Sequence, residues 1–200
     1  LDVQNSSYRN VRCFDIVEYD GINIPLPDRS HDVVFSSHVL EHVIHLDEVL
    51  KETHRVLSEE GVCVHLIPTP SCRAWTLASH YIWLARRVIQ KVRTFKNRAT
   101  SCEDAPRMPT TAKAWLWTLF PPKHGERGNT LTEVYYYSRR FWCKKFEDNN
   151  FDVIHMESNH LFYTMANALG AGVSMEMRCR MARIFGSACH IYVLKKKDAN

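Results

Sequence analysis

The sequence predicts an α/β fold built on a mostly parallel sheet, and three observations point there. Val33–Val34–Phe35 is an apolar run too continuous for a half-exposed strand and suited to one covered on both faces. Val62–Cys63–Val64–His65–Leu66–Ile67 is a second such run, stopped by Pro68 and Pro70. Between them Leu46, Val49, Leu50, Thr53, Val56 and Leu57 fall at helical spacing, so His45 to Leu57 is an amphipathic helix that Gly61 ends with a turn. Strand, helix, strand implies a parallel crossover.

The other elements follow in order. Leu1–Asp2–Val3 reads as the end of a strand, Val11 to Glu18 as another, and residues 32–36 and 62–67 as the next two. Trp75 to Arg93 is a long helix with Trp75, Leu77, Ala78, Ile82, Ala85 and Ile89 on its apolar side. Residues 97–112, with Pro106 and Pro109, read as an exposed loop before the apolar segment Trp115 to Phe120. Ser138 to Asp148 is a helix, Phe151 to Glu157 a strand and Ala188 to Lys195 the last strand.

Two hundred residues suffice for one domain with a substantial core, and 45% hydrophobic with 24% charged residues is ordinary for a globular chain. No apolar run approaches the roughly 18 residues of a membrane span. Seven scattered cysteines without a C-x-x-C pair read as reduced core thiols of a cytoplasmic protein, not as a disulfide frame or zinc site. No metal is expected: His38 and His42 are four apart, but no helical H-x-x-x-H with a partnering Glu appears. A net charge of +4 does not by itself indicate nucleic-acid binding. Arg86, Arg87, Lys91, Arg93, Lys96 and Arg98 end an aromatic helix that offers peripheral membrane contact or, more simply, a solvated face.

The stretch from Asp20 to Gly61 carries a pattern. Asp20, Ile24, Pro25, Leu26, Asp28, Ser30, Asp32 and Val34 are followed by Leu40–Glu41–His42, then by Arg55–Val56–Leu57 and Gly61. In spacing and order this resembles the Rossmann-like (class I) S-adenosylmethionine-dependent methyltransferases, in their type 11-like branch. The match is specific over residues 18–70, weaker over 130–197 and silent between. The resemblance implies a Rossmann-like mostly parallel sheet with an antiparallel last strand, and helical insertions at about 71–136 and 159–186. The family's glycine-rich loop is missing, the first glycine being Gly21, and the chain opens on Leu1. The expectation is a single domain over 1–200 whose first strand, glycine loop and first helix lie upstream; the alternative is a domain that lost the loop. In the family that first strand lies next to the strand ending here at Ser36.

The resemblance also implies a site at the C-terminal ends of the strands, where open α/β sheets bind ligands. Asp2 would accept from both ribose hydroxyls of S-adenosyl-L-methionine, since a carboxylate offers two acceptor oxygens to a vicinal diol. Asp20 would accept from the adenine amino group, with Gly21 giving close backbone access. Ser36, Ser37 and His38 would pass beside the methionine and sulfonium. His38, and His124 in the loop Lys123–His124–Gly125, are the candidate general bases. Glu41 is expected to cap or pair at a helix start. Trp75 reads as core or as a lid. The implied activity is methyl transfer to a small-molecule or glycan-type acceptor, at oxygen. The alternatives are a non-catalytic binding protein on the same fold, and a membrane-surface or nucleic-acid binder acting through helix 75–98. Oligomeric state is not legible.

Overall fold

A computed structural model describes residues 1–3, 14–96, 123–164 and 172–198. Two short strands, β1 (Asp2–Val3) and β2 (Glu18–Tyr19), pair parallel as a small sheet. The main sheet holds β3 (His31–Ser37), β4 (Leu57–Pro68), β5 (Phe151–Ser158) and β6 (Cys189–Lys196), in the order β3-β4-β6-β5. β3 and β4 are parallel, and β6 runs antiparallel to both β4 and β5. This is the mixed α/β sheet with an antiparallel last strand that the sequence predicts.

Helix α1 (Leu46–Val56) forms where the periodicity places it, with Leu46, Val49, Leu50, Thr53 and Val56 all buried. It does not run on to a turn at Gly61. Leu57 already has extended backbone and begins β4. The β3–β4 register jumps from His31↔Leu57 to Val33↔Val62, so Ser58 to Gly61 bulge out within the strand. Of the expected strand over 11–18, residues 14–17 are not strand and pairing begins at Glu18–Tyr19, while 11–13, with 4–10, lie outside the described residues.

Helix α2 (Pro70–Lys96) is longer than expected at both ends, and its buried face is not the expected one. Cys72, Arg73, Ser79 and Leu84 are buried, while Ile82 and Ile89 of the expected apolar stripe are exposed. The start of the helix is fixed by polar contacts, not by that stripe. Cys72 N donates to Thr69 Oγ1, and the Thr69 hydroxyl donates to the Ser187 carbonyl. Of the basic run, Arg86 is exposed; the side chains of Arg87 and Lys91 onward, the loop 97–112 and the segment Trp115 to Phe120 lie outside the description.

After the short α3 (Glu133–Tyr136), α4 (Arg139–Asp148) is capped as its sequence suggests, Ser138 Oγ accepting from Phe141 N. It lays Trp142 and Phe146 on the sheet against Phe151, Tyr192 and Leu194. Each such fully buried aromatic contributes about 1.5–3 kcal/mol of transfer free energy. The expected helical pair at 159–186 contains one described helix, α5 (Met175–Phe185), with 165–171 undescribed.

β3 departs from expectation. Val34 packs on the core, but Val33 is 57% and Phe35 63% exposed. Among the described residues no strand pairs with its outer edge, and a cleft of about 480 Å³ lined by Ile16, Tyr19, Val33 and Phe35 separates it from β1–β2.

Candidate functional site

The loop after β2 is built first, because it carries Asp20. Arg55 holds it from α1. One guanidinium nitrogen donates to Leu26 O and Asp28 Oδ1, the other to Ile24 O and Glu52 Oε2, and Nε donates to Glu52 Oε1. Glu52 in turn accepts from Ile24 N. The Asp-Ile-Pro-Leu-Asp pattern and the distant Arg-Val-Leu are thus two halves of one clamp. At its mouth Asp20 accepts from Ile22 N, Asn23 N and Asn23 Nδ2 at 2.6–2.8 Å, and these bonds, the Asn23 side chain first, hold its carboxyl below the usual range. Gly21 has φ +87°, a conformation side-chain-bearing residues rarely adopt.

Asp2, Asp20, Gly21 and His38 line one cleft of about 800 Å³ at the C-terminal ends of β1, β2 and β3. The sequence-predicted residues brought together are therefore these four. Ser36 is not among them: its hydroxyl pairs with buried His65 Nδ1 at 2.8 Å and faces the cleft beside β3. Ser37 reaches the site only through His38 Nδ1, at 3.1 Å.

His38 has φ +55°, uncommon for a non-glycine residue and a mark of a held conformation. Its N–H donates to Leu66 O at 3.0 Å, and Nε2 lies 3.3 Å from Cys189 Sγ. Partial burial, then the neighbouring His42, lower its pKa. His38 and His42 also line a second chamber of about 530 Å³, whose other walls include Cys72, Leu161, Phe162 and His124. Trp75 braces that wall and is neither core nor lid: Nε1 donates to Phe185 O, and the ring stands edge-on to Phe162 and Phe185 while 37% exposed.

His124 arrives from far along the chain and is positioned by a buried ion pair. Arg73 meets Glu133 at 2.6 Å, and the other Glu133 oxygen accepts from His124 N and Gly125 N. Gly125 lets the loop press on the 3₁₀ turn Leu40–His42: a Cβ there would stand 2.8 Å from Glu41 O. Glu126 N donates to Glu41 O, and Arg127 donates to the Leu40 and Val43 carbonyls. His124 ends edge-on to His42, ring centroids 4.7 Å apart. Burial first, then the neighbouring His42 and Arg73, push its pKa down to about 4.

Glu41 neither caps nor pairs. It is 2% exposed, and neither carboxylate oxygen has a hydrogen-bond partner among the described residues. Burial pushes its pKa up to about 7 against weaker opposing effects of a backbone hydrogen bond and Arg127. Sequence reasoning placed it at a helix start because nothing local announces that residues 124–142 will cover it. Arg73, Glu133 and Arg127 were missed for the same reason, since their partners lie from 60 to 87 positions away.

A mixed sheet with an antiparallel last strand, and a carboxylate-bearing cleft at the ends of its parallel strands, make a Rossmann-like α/β arrangement. Residues 1–65 match the family model of the methyltransferase domain. No curated protein matches the chain. Among solved structures it is similar to a methyltransferase-type chain complexed with the Trm112 methyltransferase activator of Haloferax volcanii (10% identity, 92% of this chain and 61% of that one, TM-score 0.48). A second is PKMT2 of Rickettsia typhi in complex with AdoHcy (12%, 92% and 39%, TM-score 0.46). A third is an S-adenosylmethionine-dependent methyltransferase of Thermotoga maritima (14%, 98% and 72%, TM-score 0.48). The chain spans less than two thirds of the first two. Among the described residues no helix is long and apolar enough to cross a membrane, and Cys63, Cys72, Cys143, Cys179 and Cys189 are free thiols.

Proposed function

We propose that this domain takes part in methyl transfer from S-adenosylmethionine to the oxygen of a small acceptor with an apolar body. The observation that carries this reading is the pair of chambers meeting at His38 and His42, one bearing Asp2 and Asp20, the other apolar. In-line displacement at a methyl group needs two substrates held end to end, and positioning supplies most of the rate. A chamber of about 530 Å³ suits a small molecule better than a polymer, and its Leu161 and Phe162 walls favour an apolar body over a glycan.

The cleft residues fit the cofactor. Asp2 would hold the ribose hydroxyls. Asp20, kept ionised by its own loop, retains lone-pair capacity for the adenine amino group. S-adenosylmethionine supplies an electrophilic methyl group when bound. His38 lines both chambers, its Nδ1 against Ser37 Oγ and its Nε2 meeting only the weakly polar Cys189 thiol at 3.3 Å, and Nε2 takes the proton of an acceptor hydroxyl in place of that contact. His124 stays neutral at physiological pH but is the weaker base, its pKa being far below the working range. Among the described residues the outer edge of β3 is unpaired, and it is the place where the resemblance puts a further strand.

The test is a radiolabelled methyl-transfer assay against a panel of phenolic and aliphatic alcohols. Transfer to a small alcohol, abolished by His38→Ala and by filling the apolar chamber with Leu161→Trp, supports the reading. Transfer only to glycans or macromolecules overturns the acceptor class.

A further inference from the structure

We propose that Glu41, His42 and His124 form a binding site for one divalent transition-metal ion of the zinc type, where the two histidines border the apolar chamber. Three observations carry it. One ligand atom from each of the three residues lies within 4.8 Å of the others. The two imidazoles meet nearly at right angles, 72° between planes, rather than stacked. The carboxylate is buried with both oxygens unpartnered among the described residues. A buried carboxylate is normally paired or bound to a metal.

The neighbouring cations do not fill that role. Arg73 is engaged with Glu133 at 2.6 Å, and Arg127 is turned to the carbonyls of Leu40 and Val43. The void beside Glu41, Tyr137 and Trp142 is about 10 Å³, room for a single water at most.

Two imidazoles and one carboxylate are a borderline-soft donor set that suits zinc and its first-row neighbours rather than calcium or magnesium. Tetrahedral zinc holds such ligand atoms about 3.3 Å apart, so rotations closing the cluster by at most about 1.5 Å would complete it. The scaffold limits drift: His124 and Gly125 are tied to Glu133, and Gly125 touches the backbone of Glu41. His42 and His124 line the chamber, so the positions left open face the space where an acceptor would sit. Three protein ligands with an open position is the arrangement of a metal that binds substrate rather than one that only braces a fold. The ion would lower the pKa of a coordinated hydroxyl or water.

The sequence does not announce this site. Glu41 and His42 are adjacent, and the third ligand comes from a loop beyond residue 120, so no compact spacing exists to read.

The test uses Co²⁺ as an optical probe with the whole chain, after removal of adventitious metal with a chelator. It reads metal alone, so its outcome is independent of methyl transfer. Expected are one bound Co²⁺ per chain with visible d–d absorption, its displacement by Zn²⁺, and affinity lowered at least about tenfold in His124→Ala and in His42→Ala. Those two substitutions fall on exposed or half-buried side chains and leave the core intact. Glu41→Gln should weaken binding as well, with circular dichroism confirming the fold. His80→Ala, on α2, should bind as the parent does. Absence of Co²⁺ binding overturns the proposal. So does binding that survives His124→Ala or is lost in His80→Ala, since either result marks scattered surface histidines.

Discussion

The half of the sheet made by β4, β6 and β5 and the half that carries β3 with the β1–β2 pair are built from the same kinds of residue and held in different ways. In the first, Tyr192, Leu194 and Cys63 are sealed beneath Trp142 and Phe146. In the second, Val33 and Phe35 stand largely in solvent, β3 is held by its ladder to β4, and the loop from β2 to β3 is held by the Arg55 clamp and the Asp20 hydrogen bonds. Whether an apolar run is buried depends on what lies beside it, not on the run. The two chambers divide along the same line: the apolar one is walled from the well-packed half, and the carboxylates stand on the half fixed mainly by hydrogen bonds.

The largest expected effect would break or confirm that division directly. Trp142→Ala or Phe146→Ala should cost about 3–5 kcal/mol in urea unfolding, as large buried aromatics do. Phe35→Ser, on the open edge, should stay within about 0.5 kcal/mol. Equal losses at both places would erase the distinction.

Next comes a pH effect seated in the packed half. His65 stacks on Phe146, and burial pushes its pKa down to about 4 from the ordinary 6.5. A depressed folded-state pKa gives stability that is present above pH 6.5 and lost as pH falls from 6.5 toward 4. Urea midpoints should therefore report a loss of about 2–3 kcal/mol between pH 7 and pH 4.5. His65→Phe should remove most of that loss. An unchanged pH profile in the variant would assign acid sensitivity elsewhere.

How much could be read beforehand follows the same physics. α1 and the cap of α4 were legible because both rest on local spacing: a 3.6-residue stripe in one, and Ser138 three residues before Phe141 in the other. The antiparallel last strand came from the resemblance alone. Asp20 and Gly21 were legible as a loop, while their clamp by Arg55 was visible only as a pattern without a cause. Gly61 misled because the turn it serves is a bulge inside β4, not a helix end. The face of α2 misled because apolar spacing names a stripe without naming a partner. Glu41, Arg73 and Glu133 were illegible, since the residues that bury or pair with them lie 60 or more positions away along the chain.

A smaller effect sharpens the other half. Asp20→Ala removes three acceptor bonds from its loop and should weaken S-adenosylhomocysteine severalfold with little change in melting temperature. Asp20→Asn should do less, because the amide oxygen still accepts. A large drop in melting temperature with unchanged affinity would make Asp20 a turn residue only.

The central claim is that cofactor and acceptor occupy separate chambers joined at His38 and His42. Calorimetric titration of S-adenosylhomocysteine into the parent chain, the double variant Asp2→Ala/Asp20→Ala, and Leu161→Trp tests it most directly. The account predicts an affinity reduced at least about tenfold in the double variant, close to 1.4 kcal/mol, and unchanged in Leu161→Trp. Unchanged affinity in the double variant, or a loss confined to Leu161→Trp, would place the cofactor in the apolar chamber and contradict the account.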